Sequence, residues 1–235
     1  MLKSQILKQA IEQKRDLLTE IESKNLLQEI GVPVIETKLA RTKQEAINLS
    51  KLLGFPVVLK IASPNITHKS DAGGVKLDLK NATQVSHAYS EILTSIRRAF
   101  PQAAIQGVSV QKMARPGIEV IIGISQDAQF GPVIMFGIGG ILVEIIKDVS
   151  FRIIPLTERD AGEMIREIKG YRLLQGYRGQ EPANIPKLEQ LILKISHFIE
   201  QNPQIKELDL NPIYAYQDGA VVVDARIILN NPTDE

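Results

Sequence analysis

Cysteine is absent from this chain, neither sign of charge is in clear excess, and long apolar runs are missing. With no cysteine among 235 residues, disulfide bonds, thiolate metal sites and a cysteine nucleophile are excluded. Lysine and arginine total 28 against 27 acidic residues and no long basic run is present, so the charge pattern does not indicate a nucleic-acid partner. The remaining composition, 44% hydrophobic and 23% charged, is that of an ordinary globular protein.

No segment approaches the roughly 18 to 20 apolar residues of a membrane-spanning helix. The most apolar stretch, 133–143, is interrupted by glycines, and residues 1–27 are charged throughout and lack the apolar core of a signal peptide. We therefore expect a cytoplasmic protein without a membrane partner. The length allows one large domain or two lobes of roughly 100 residues each.

Hydrophobic periodicity predicts an α/β protein. Two helices are predicted between Leu2 and about Ile30, divided by a capping-box pattern at 19–22. Further helices are predicted at 42–53, 83–100, 157–169 and 186–200, and strands at 32–39, 56–61, 74–79, 108–113, 119–125 and 132–138. Because strands dominate after Gly107, we predict two α/β lobes, 1–107 with the N-terminal helices and 108–235, with a small-molecule cleft between them.

The most informative segment is a polar loop between the strands 56–61 and 74–79. A tight hairpin needs two to five residues, whereas this loop has about a dozen, a length at which loops tend to be functional or disordered. The loop contains a histidine, a lysine, an aspartate and a glycine pair, namely His68, Lys69, Asp71, Gly73 and Gly74. Lys60 stands near the end of the first strand, and its point charge suits a phosphate.

In order and spacing, GFPVVLKIASPNITHKSDAGGV at 54–75 resembles a signature run of the ATP-grasp domain of ADP-forming acyl-CoA synthetases, relatives of succinyl-CoA synthetase. The resemblance extends over about 17–228. It implies an ATP-grasp fold of two α/β lobes, with the nucleotide between them. It also implies that Lys60 binds nucleotide phosphate, that His68 is phosphorylated in turn, and that the phosphoryl-transfer loop includes Asp71, Gly73 and Gly74.

The same resemblance implies nucleotide contacts around the junction of the lobes. The hinge residues, whose backbone groups would meet adenine, are Gln111, Lys112 and Met113. Glu119 occupies the place of a ribose-contacting glutamate. Arg152 is a candidate phosphate contact, with an ordinary surface arginine as the competing interpretation.

The run FGIGGILVEIIKD at 136–148 places a glycine cluster after a predicted strand, where backbone N–H groups can approach an anion. It fails the dinucleotide-binding fingerprint because Leu142 stands where the third glycine should be, and it fails the P-loop fingerprint because no Gly-Lys-Ser/Thr follows. It resembles the glycine-rich segment of the ATP-grasp family, which implies that Gly139, Gly140 and Glu144 line the phosphoryl-transfer site.

Residues 206–227 predict a hairpin with Asp218-Gly219 at its tip. In such a hairpin Asn211 and Asp224 lie across from one another, and Mg²⁺ needs few protein oxygens because phosphates and water fill the other positions. The family's D/E-x-N-P and V-D-A-R/K runs map onto this hairpin, which implies that Asn211 and Asp224 are magnesium ligands with Asp209 beside them. The competing interpretation is ordinary turn and edge chemistry.

The reaction implied by the resemblance exchanges acyl-CoA, ADP and phosphate for carboxylic acid, CoA and ATP through acyl phosphate and phosphohistidine intermediates. In this family CoA binding belongs to a different part, often a separate α subunit, of which the sequence has no trace. The resemblance therefore implies a β subunit that needs Mg²⁺, ATP or ADP and an α partner, in a heterotetramer. Two alternatives are an ATP-grasp carboxylate–amine ligase without a histidine relay and a non-catalytic nucleotide-sensing subunit.

Three further polar residues receive no site role from the sequence. His87 and His197 lie on predicted amphipathic helices, where a lone histidine is usually a surface or packing residue. Arg178 lies in the irregular segment 171–185, which matches the family closely, but its role stays open.

Overall fold

The computed structural model describes residues 4–66, 69–140 and 147–230. Contacts among Cα atoms divide the chain into two compact units. The small unit comprises Thr19–Ile21 and Ile35–Arg115, and the large unit comprises Met1–Leu18, Glu22–Val34 and Pro116–Glu235. Each unit has its own hydrophobic core.

Two helices open the chain, as the sequence predicts: α1 (Gln5–Glu12) and α2 (Glu20–Glu29). Ser4 caps α1, because its side chain accepts a hydrogen bond from a first-turn N–H group at 3.3 Å. The buried apolar side chains of both helices belong to the core of the large unit: Leu7, Ala10, Leu26 and Leu27. Among the residues that the structure describes, no helix combines the length and apolar character that crossing a bilayer requires.

The small unit is a four-stranded antiparallel sheet with two helices. The strands, in the order β1-β4-β2-β3, are β1 (Thr37–Ala40), β2 (Val57–Ala62), β3 (Val75–Leu79) and β4 (Gly107–Lys112). The helices are α3 (Lys43–Leu53) and α4 (Ala82–Ala99). Thr42 caps α3 as predicted, by accepting a hydrogen bond from the N–H of Glu45 at 3.1 Å. The predicted apolar stripe of α4 packs into the core of the unit, which is built mainly from β2, β4 and α4.

The large unit is a six-stranded antiparallel sheet with helices on one face. Its main path is β10-β8-β5-β6-β7, with β9 paired to β8. The strands are β5 (Ile118–Asp127), β6 (Gly131–Ile138), β7 (Val149–Ile153), β8 (Ile205–Tyr216), β9 (Gly219–Val222) and β10 (Ala225–Leu229), and the later helices are α5 (Glu158–Glu167), α6 (Tyr171–Leu174) and α7 (Ile185–Glu200). The hairpin, α5 and α7 are predicted by the sequence, whereas β7 and the short helix α6 are not.

The division between the units differs from the predicted one into 1–107 and 108–235. β4 was assigned to the second lobe, but it pairs with β1 and β2 in the middle of the small sheet. The N-terminal helices were assigned to the first lobe, but their apolar side chains pack in the large unit. A hydrophobic pattern identifies a strand or a helix without specifying the sheet that it joins.

The large sheet has two unlike faces, which follow from its register because cross-strand partners share a face. One row of partners, Ile227, Leu208, Ile124 and Ile134, is buried beneath α5 and α7. The next row contains Arg226, Asp209, Gly123, Met135 and Phe151. We call the sheet face that carries this second row the acidic face.

Candidate functional site

In the small unit, one buried carboxylate joins two lysines. Glu20, at the start of α2, accepts hydrogen bonds from Lys60 Nζ at 2.8 Å and from Lys69 Nζ at 2.6 Å, each on a different carboxylate oxygen. The exposed fractions of the side chains are 6% for Glu20, 7% for Lys60 and 18% for Lys69. We call these three residues the lysine cluster. Two ammonium groups against one carboxylate give these three residues a formal charge of +1.

The chain from Lys69 to Gly74 forms a compact turn. The N–H of Gly74 donates to the carbonyl of Lys69 at 2.8 Å, and the N–H of Gly73 donates to Ser70 at 3.0 Å. A Cβ on Gly74 would lie 2.6 Å from Cγ2 of Ile61 and 2.9 Å from the carbonyl oxygen of Lys69, which explains a glycine there. Gly73 has φ of 68°, in the left-handed region. These two glycines, predicted at the transfer site, therefore use their N–H groups to shape the turn.

Of the other two predicted residues of this loop, one is exposed to solvent and one lies outside the described residues. Asp71 is exposed at the outer side of the turn. His68, the predicted phosphorylated residue, lies outside the described residues. Its chain neighbour Lys69 is described, and the lysine cluster fixes that side chain close to Lys60.

The three predicted hinge residues lie at the end of β4. Gln111 is buried, and its side-chain oxygen accepts a hydrogen bond from the hydroxyl of Thr37 at 3.4 Å. Lys112 is exposed, and the N–H of Met113 donates to the carbonyl of Pro56 at 3.0 Å. The segment therefore leaves the small sheet at Met113, three residues before the large unit begins at Pro116.

On the large sheet, Glu119 packs against the glycine pair that follows β6. The N–H of Gly139 donates to the carbonyl of Glu119 at 2.8 Å. A Cβ on Gly140, whose φ is 68°, would lie 2.9 Å from a carboxylate oxygen of Glu119. Glu119 and Gly123 are separated by four positions on β5, so both lie on the acidic face. Three of the predicted residues are thus adjacent, while Glu144 lies outside the described residues.

The C-terminal hairpin brings Asn211 and Asp224 opposite each other, as predicted. Ala225 pairs with Leu210 on one side of this position, and the N–H of Val223 donates to the carbonyl of Pro212 at 3.0 Å on the other. The two pairings belong to one continuous register, which places residue 224 across from residue 211. Asp209 is two positions before Asn211 on β8, and the register of β8 with β5 shifts between the pairs Leu210–Ile122 and Ile213–Val120. The charge of Asp224 acts on the carboxyl group of Asp209, so these two acids are neighbours.

A scan against protein-family models matches residues 9–229 to the ATP-grasp domain family. The chain belongs to the ATP-grasp family. It is similar to the beta subunit of acetate–CoA ligase [ADP-forming] I from Pyrococcus furiosus, with 51% identity over 90% of this chain and 91% of that protein. It is also 46% identical, over 87% of its own length, to acetate–CoA ligase [ADP-forming] I from Archaeoglobus fulgidus, of which it covers 30%.

Solved structures agree with this ATP-grasp assignment. A dinucleotide forming acetyl-coenzyme A synthetase 1 from Ca. Korarchaeum cryptofilum, in complex with coenzyme A, Ca-AMPCP and HgCl+, superposes with a TM-score of 0.94 at 48% identity, covering 96% of this chain and 98% of that chain. Another structure of that synthetase, with coenzyme A and Mg-AMPPCP and with its phosphohistidine segment pointing towards the nucleotide binding site, gives a TM-score of 0.84 at 46% identity over the same shares. The fold is therefore the predicted ATP-grasp fold.

The acids of this ATP-grasp chain fit a hard cation. Burial raises the pKa of Asp209 above its ordinary value; the charge of Arg226 lowers it, and the neighbouring carboxylates Asp224 and Glu207 raise it further. A bound cation relieves such a charge, and Mg²⁺ prefers oxygen ligands. Within the described ranges, no group of three or more His, Cys, Asp or Glu side chains is placed to hold a metal ion. A magnesium site here would therefore combine the acids with the amide oxygen of Asn211 and with oxygens of substrate and water.

Asp209 gives a pH-dependent stability with a definite sign. Because its folded-state pKa is raised, the stability that its protonated form contributes is lost as pH rises through that pKa. We expect Asp209→Asn to raise the melting temperature by a few degrees at about pH 7 to 8 in Mg²⁺-free buffer, with a gain that shrinks toward about pH 4. Thermal denaturation across this pH range measures the difference.

Asp127 provides the control of opposite sign. Hydrogen bonds from the N–H groups of Gln129 and Phe130 lower the pKa of its carboxyl group. Asp127→Asn is therefore expected to lower the melting temperature at neutral pH, with a loss that fades as the pH falls. A lower melting temperature for Asp209→Asn at neutral pH without Mg²⁺ would contradict the proposed destabilisation of the ionised carboxylate.

Arg152 lies on the opposite face of the large sheet from Asp209. It pairs with Ile134 across the sheet, so it lies on the helix-covered face and not on the acidic face with Asp209. Its guanidinium pairs with Glu167 and with Glu163 at 3.8 Å, both on α5. The hydrogen bond to Glu167, with the charges of Glu167 and Glu163, raises the pKa of Arg152. The geometry favours the competing interpretation of Arg152 as a structural surface arginine.

The remaining polar residues keep the roles that the sequence suggests. His197 is exposed on α7 and contacts Gln201 at 2.7 Å and Glu200 at 3.4 Å. His87 is exposed on α4. The guanidinium of Arg178 lies 5.3 Å from the centroid of the Tyr177 ring, which does not assign it a function.

Glu20 is the residue of this site that the sequence reasoning missed. Its partners are 40 and 49 positions away, so no local pattern announces them. The only nearby signal was the capping-box pattern at 19–22, which concerns the start of the helix. Only the structure shows that its carboxylate accepts hydrogen bonds from both lysines.

Proposed function

We propose that this chain is the ATP-grasp β subunit of an ADP-forming acyl-CoA synthetase. It transfers a phosphoryl group between ADP or ATP and His68, within the reaction acyl-CoA + ADP + phosphate = carboxylate + ATP + CoA. The observation that carries the proposal is the 51% identity to the beta subunit of an ADP-forming acetate–CoA ligase over 90% of this chain. The lysine cluster and the acids of the acidic face support it, since each matches a need of phosphoryl transfer.

Phosphoryl transfer depends mainly on positioning and on neutralising charge. Lys60 supplies a cation for the nucleotide phosphates and is itself held by Glu20 at 2.8 Å. Asn211 and Asp224, with Asp209, would hold Mg²⁺. When bound, Mg²⁺ neutralises charge on the phosphate oxygens. In this proposal the acidic face supplies the oxygen ligands, and the lysine cluster supplies the positive charge.

The covalent step falls to His68. A neutral imidazole nitrogen is an available nucleophile near neutral pH. In the direction from ATP, this nitrogen forms a bond to the γ-phosphorus while the bond to the bridging oxygen breaks and ADP departs. The phosphorylated imidazole is reactive enough to pass the group on, and the reverse step regenerates ATP.

The remaining chemistry requires a second polypeptide. This chain covers only 30% of the single-chain synthetase from Archaeoglobus fulgidus but 91% of the beta subunit from Pyrococcus furiosus. We assign CoA binding and acyl transfer to an α partner, with the two subunits in a cytoplasmic heterotetramer.

The test is incubation of the chain with Mg²⁺ and ATP labelled at the γ-phosphate. We expect an acid-labile, base-stable label on His68 that added ADP removes as labelled ATP. A carboxylate–amine ligase or a nucleotide-sensing subunit would bind nucleotide without acquiring this label, so an unlabelled chain would contradict the proposal. With its α partner, CoA and a carboxylic acid the chain should make acyl-CoA, and acyl-CoA synthesis without the partner would contradict the division of labour.

A further inference from the structure

The lysine cluster contains a carboxylate for which the proposed reaction has not yet supplied a role. Glu20 uses Oε1 to accept from Lys60 and Oε2 to accept from Lys69. Its side chain is only 6% exposed, although it lies in the first turn of a helix. Lys60 is the proposed phosphate-binding residue, and Lys69 is the residue that follows His68 in the chain. A single carboxylate thus links two parts of the proposed machinery.

Burial makes this link stronger than a surface ion pair. A buried ammonium group must be paired, and without a partner it tends to lose its proton. Two ammonium groups on one site also repel each other, and an intervening carboxylate removes that repulsion. Each lysine gives one N–H donor to a different oxygen of Glu20. Glu20 therefore holds both lysines through a single carboxylate.

We propose that Glu20 is a positioning residue for phosphoryl transfer, which holds Lys60 and Lys69 in a fixed relation to each other. This inference rests on the proposed function of Lys60 and His68. Glu20 acts on the rate through geometry, and its negative charge opposes the binding of phosphate. Loss of that charge should therefore slow transfer without weakening the affinity for nucleotide.

Glu20→Gln separates these two effects, because it keeps the shape of the side chain but turns one oxygen into an N–H₂ donor facing an ammonium group. We expect the single-turnover rate of His68 labelling at saturating Mg²⁺-ATP to fall by about 10- to 100-fold, the range that small misplacements of reacting groups produce. The dissociation constant for Mg²⁺-ATP should stay the same or decrease. A merely structural role would weaken both quantities and lower the melting temperature in parallel.

The matched control is Glu22→Gln on the same helix. Glu22 binds Arg15 through two hydrogen bonds of 2.8 and 3.0 Å, outside the lysine cluster. Glu22→Gln removes an equal charge and a more exposed ion pair, so its labelling rate should equal that of the wild type.

Lys69→Met supplies the second variant, because it leaves the pair of Lys60 and Glu20 intact. It should also slow labelling at unchanged nucleotide affinity. The double variant Glu20→Gln with Lys69→Met should be no slower than the slower single variant, since groups that act as a unit are not additive. If Glu20→Gln fails to fold, Lys69→Met decides alone.

The outcomes separate the inference from the proposed function. A wild-type chain that acquires no label on His68 refutes the proposed function before any variant is measured. A labelled wild type together with a wild-type rate for Glu20→Gln or for Lys69→Met overturns the inference alone. Equal losses of rate and nucleotide affinity in Glu20→Gln also overturn it, because they indicate a structural residue.

Discussion

Replacement of His68 by alanine is expected to abolish transfer of the γ-phosphate from ATP to this chain, with a residual rate at least about 10³-fold below that of the wild type. The imidazole is the proposed nucleophile, and the other two histidines of the chain lie on helices, His87 on α4 and His197 on α7. Nucleotide binding should persist, because Lys60 and the acids of the acidic face are unchanged. Single-turnover labelling measures the first quantity, and the shift in melting temperature with Mg²⁺-ATP measures the second.

The control for this variant is His197→Ala, which removes an exposed imidazole from α7 and should leave labelling unchanged. With the α partner present, His68→Ala should also eliminate acyl-CoA synthesis. An alanine variant that still makes acyl-CoA at a substantial rate would exclude the histidine relay, and it would favour the alternative of an ATP-grasp ligase without one.

Replacement of Asp224 by asparagine is expected to reduce phosphoryl transfer by at least about 10²-fold, since a metal ion contributes several kcal/mol to stabilising charge in the transition state. Asparagine keeps the size of the side chain and removes its charge. The Mg²⁺ concentration that gives half of the maximal rate should rise, and excess Mg²⁺ should restore part of the activity. A magnesium titration of the single-turnover rate tests both statements.

The same hairpin offers a matched control and a coupling test. Asp218→Asn changes an exposed aspartate at the hairpin tip and should leave the magnesium dependence unchanged. Asn211→Ala should resemble Asp224→Asn, and the double variant should lose less than the sum of the two effects, because both act on one ion. An unchanged magnesium dependence in Asp224→Asn would remove this residue from the proposed metal site.

Local pattern was sufficient for most helices and strands, but not for their assignment to the two units. The apolar stripe of α4 and the cap at Thr42 are properties of neighbouring residues, so the sequence predicts them directly. β7 is not predicted, and in the structure its alternation is inverted: Phe151 and Ile153 are 55% and 50% exposed, whereas Ser150 is buried. β4 was misassigned because the pairing of strands is a nonlocal property.

The same distinction holds for the candidate site. Asn211 and Asp224 could be paired from the sequence, since an Asp-Gly tip fixes the register of a hairpin. Arg152 is grouped with the nucleotide contacts because a resemblance gives residue types, whereas the face of a sheet on which a side chain lies depends on register. Glu20 was missed because its two partners come from distant segments. Motifs therefore identify proposed substrate and metal contacts more readily than residues, such as Glu20, that position other side chains.

The continuous pairing along the C-terminal hairpin has a consequence for how this region tolerates change in length. From Tyr216 and Gly219 to Glu207 and Ile228, β8 keeps one alignment with β9 and β10, and residues 211 and 224 lie within it. Extra residues inserted between Gln217 and Asp218 would enlarge the tip and leave Asn211 and Asp224 facing each other. A single deletion between Val222 and Ala225 would instead turn the side chain of Asp224 toward the apolar interior. The tip is therefore the place to graft a tag or a reporter, and the stretch from Val222 to Ala225 is the place where the chain has no spare length.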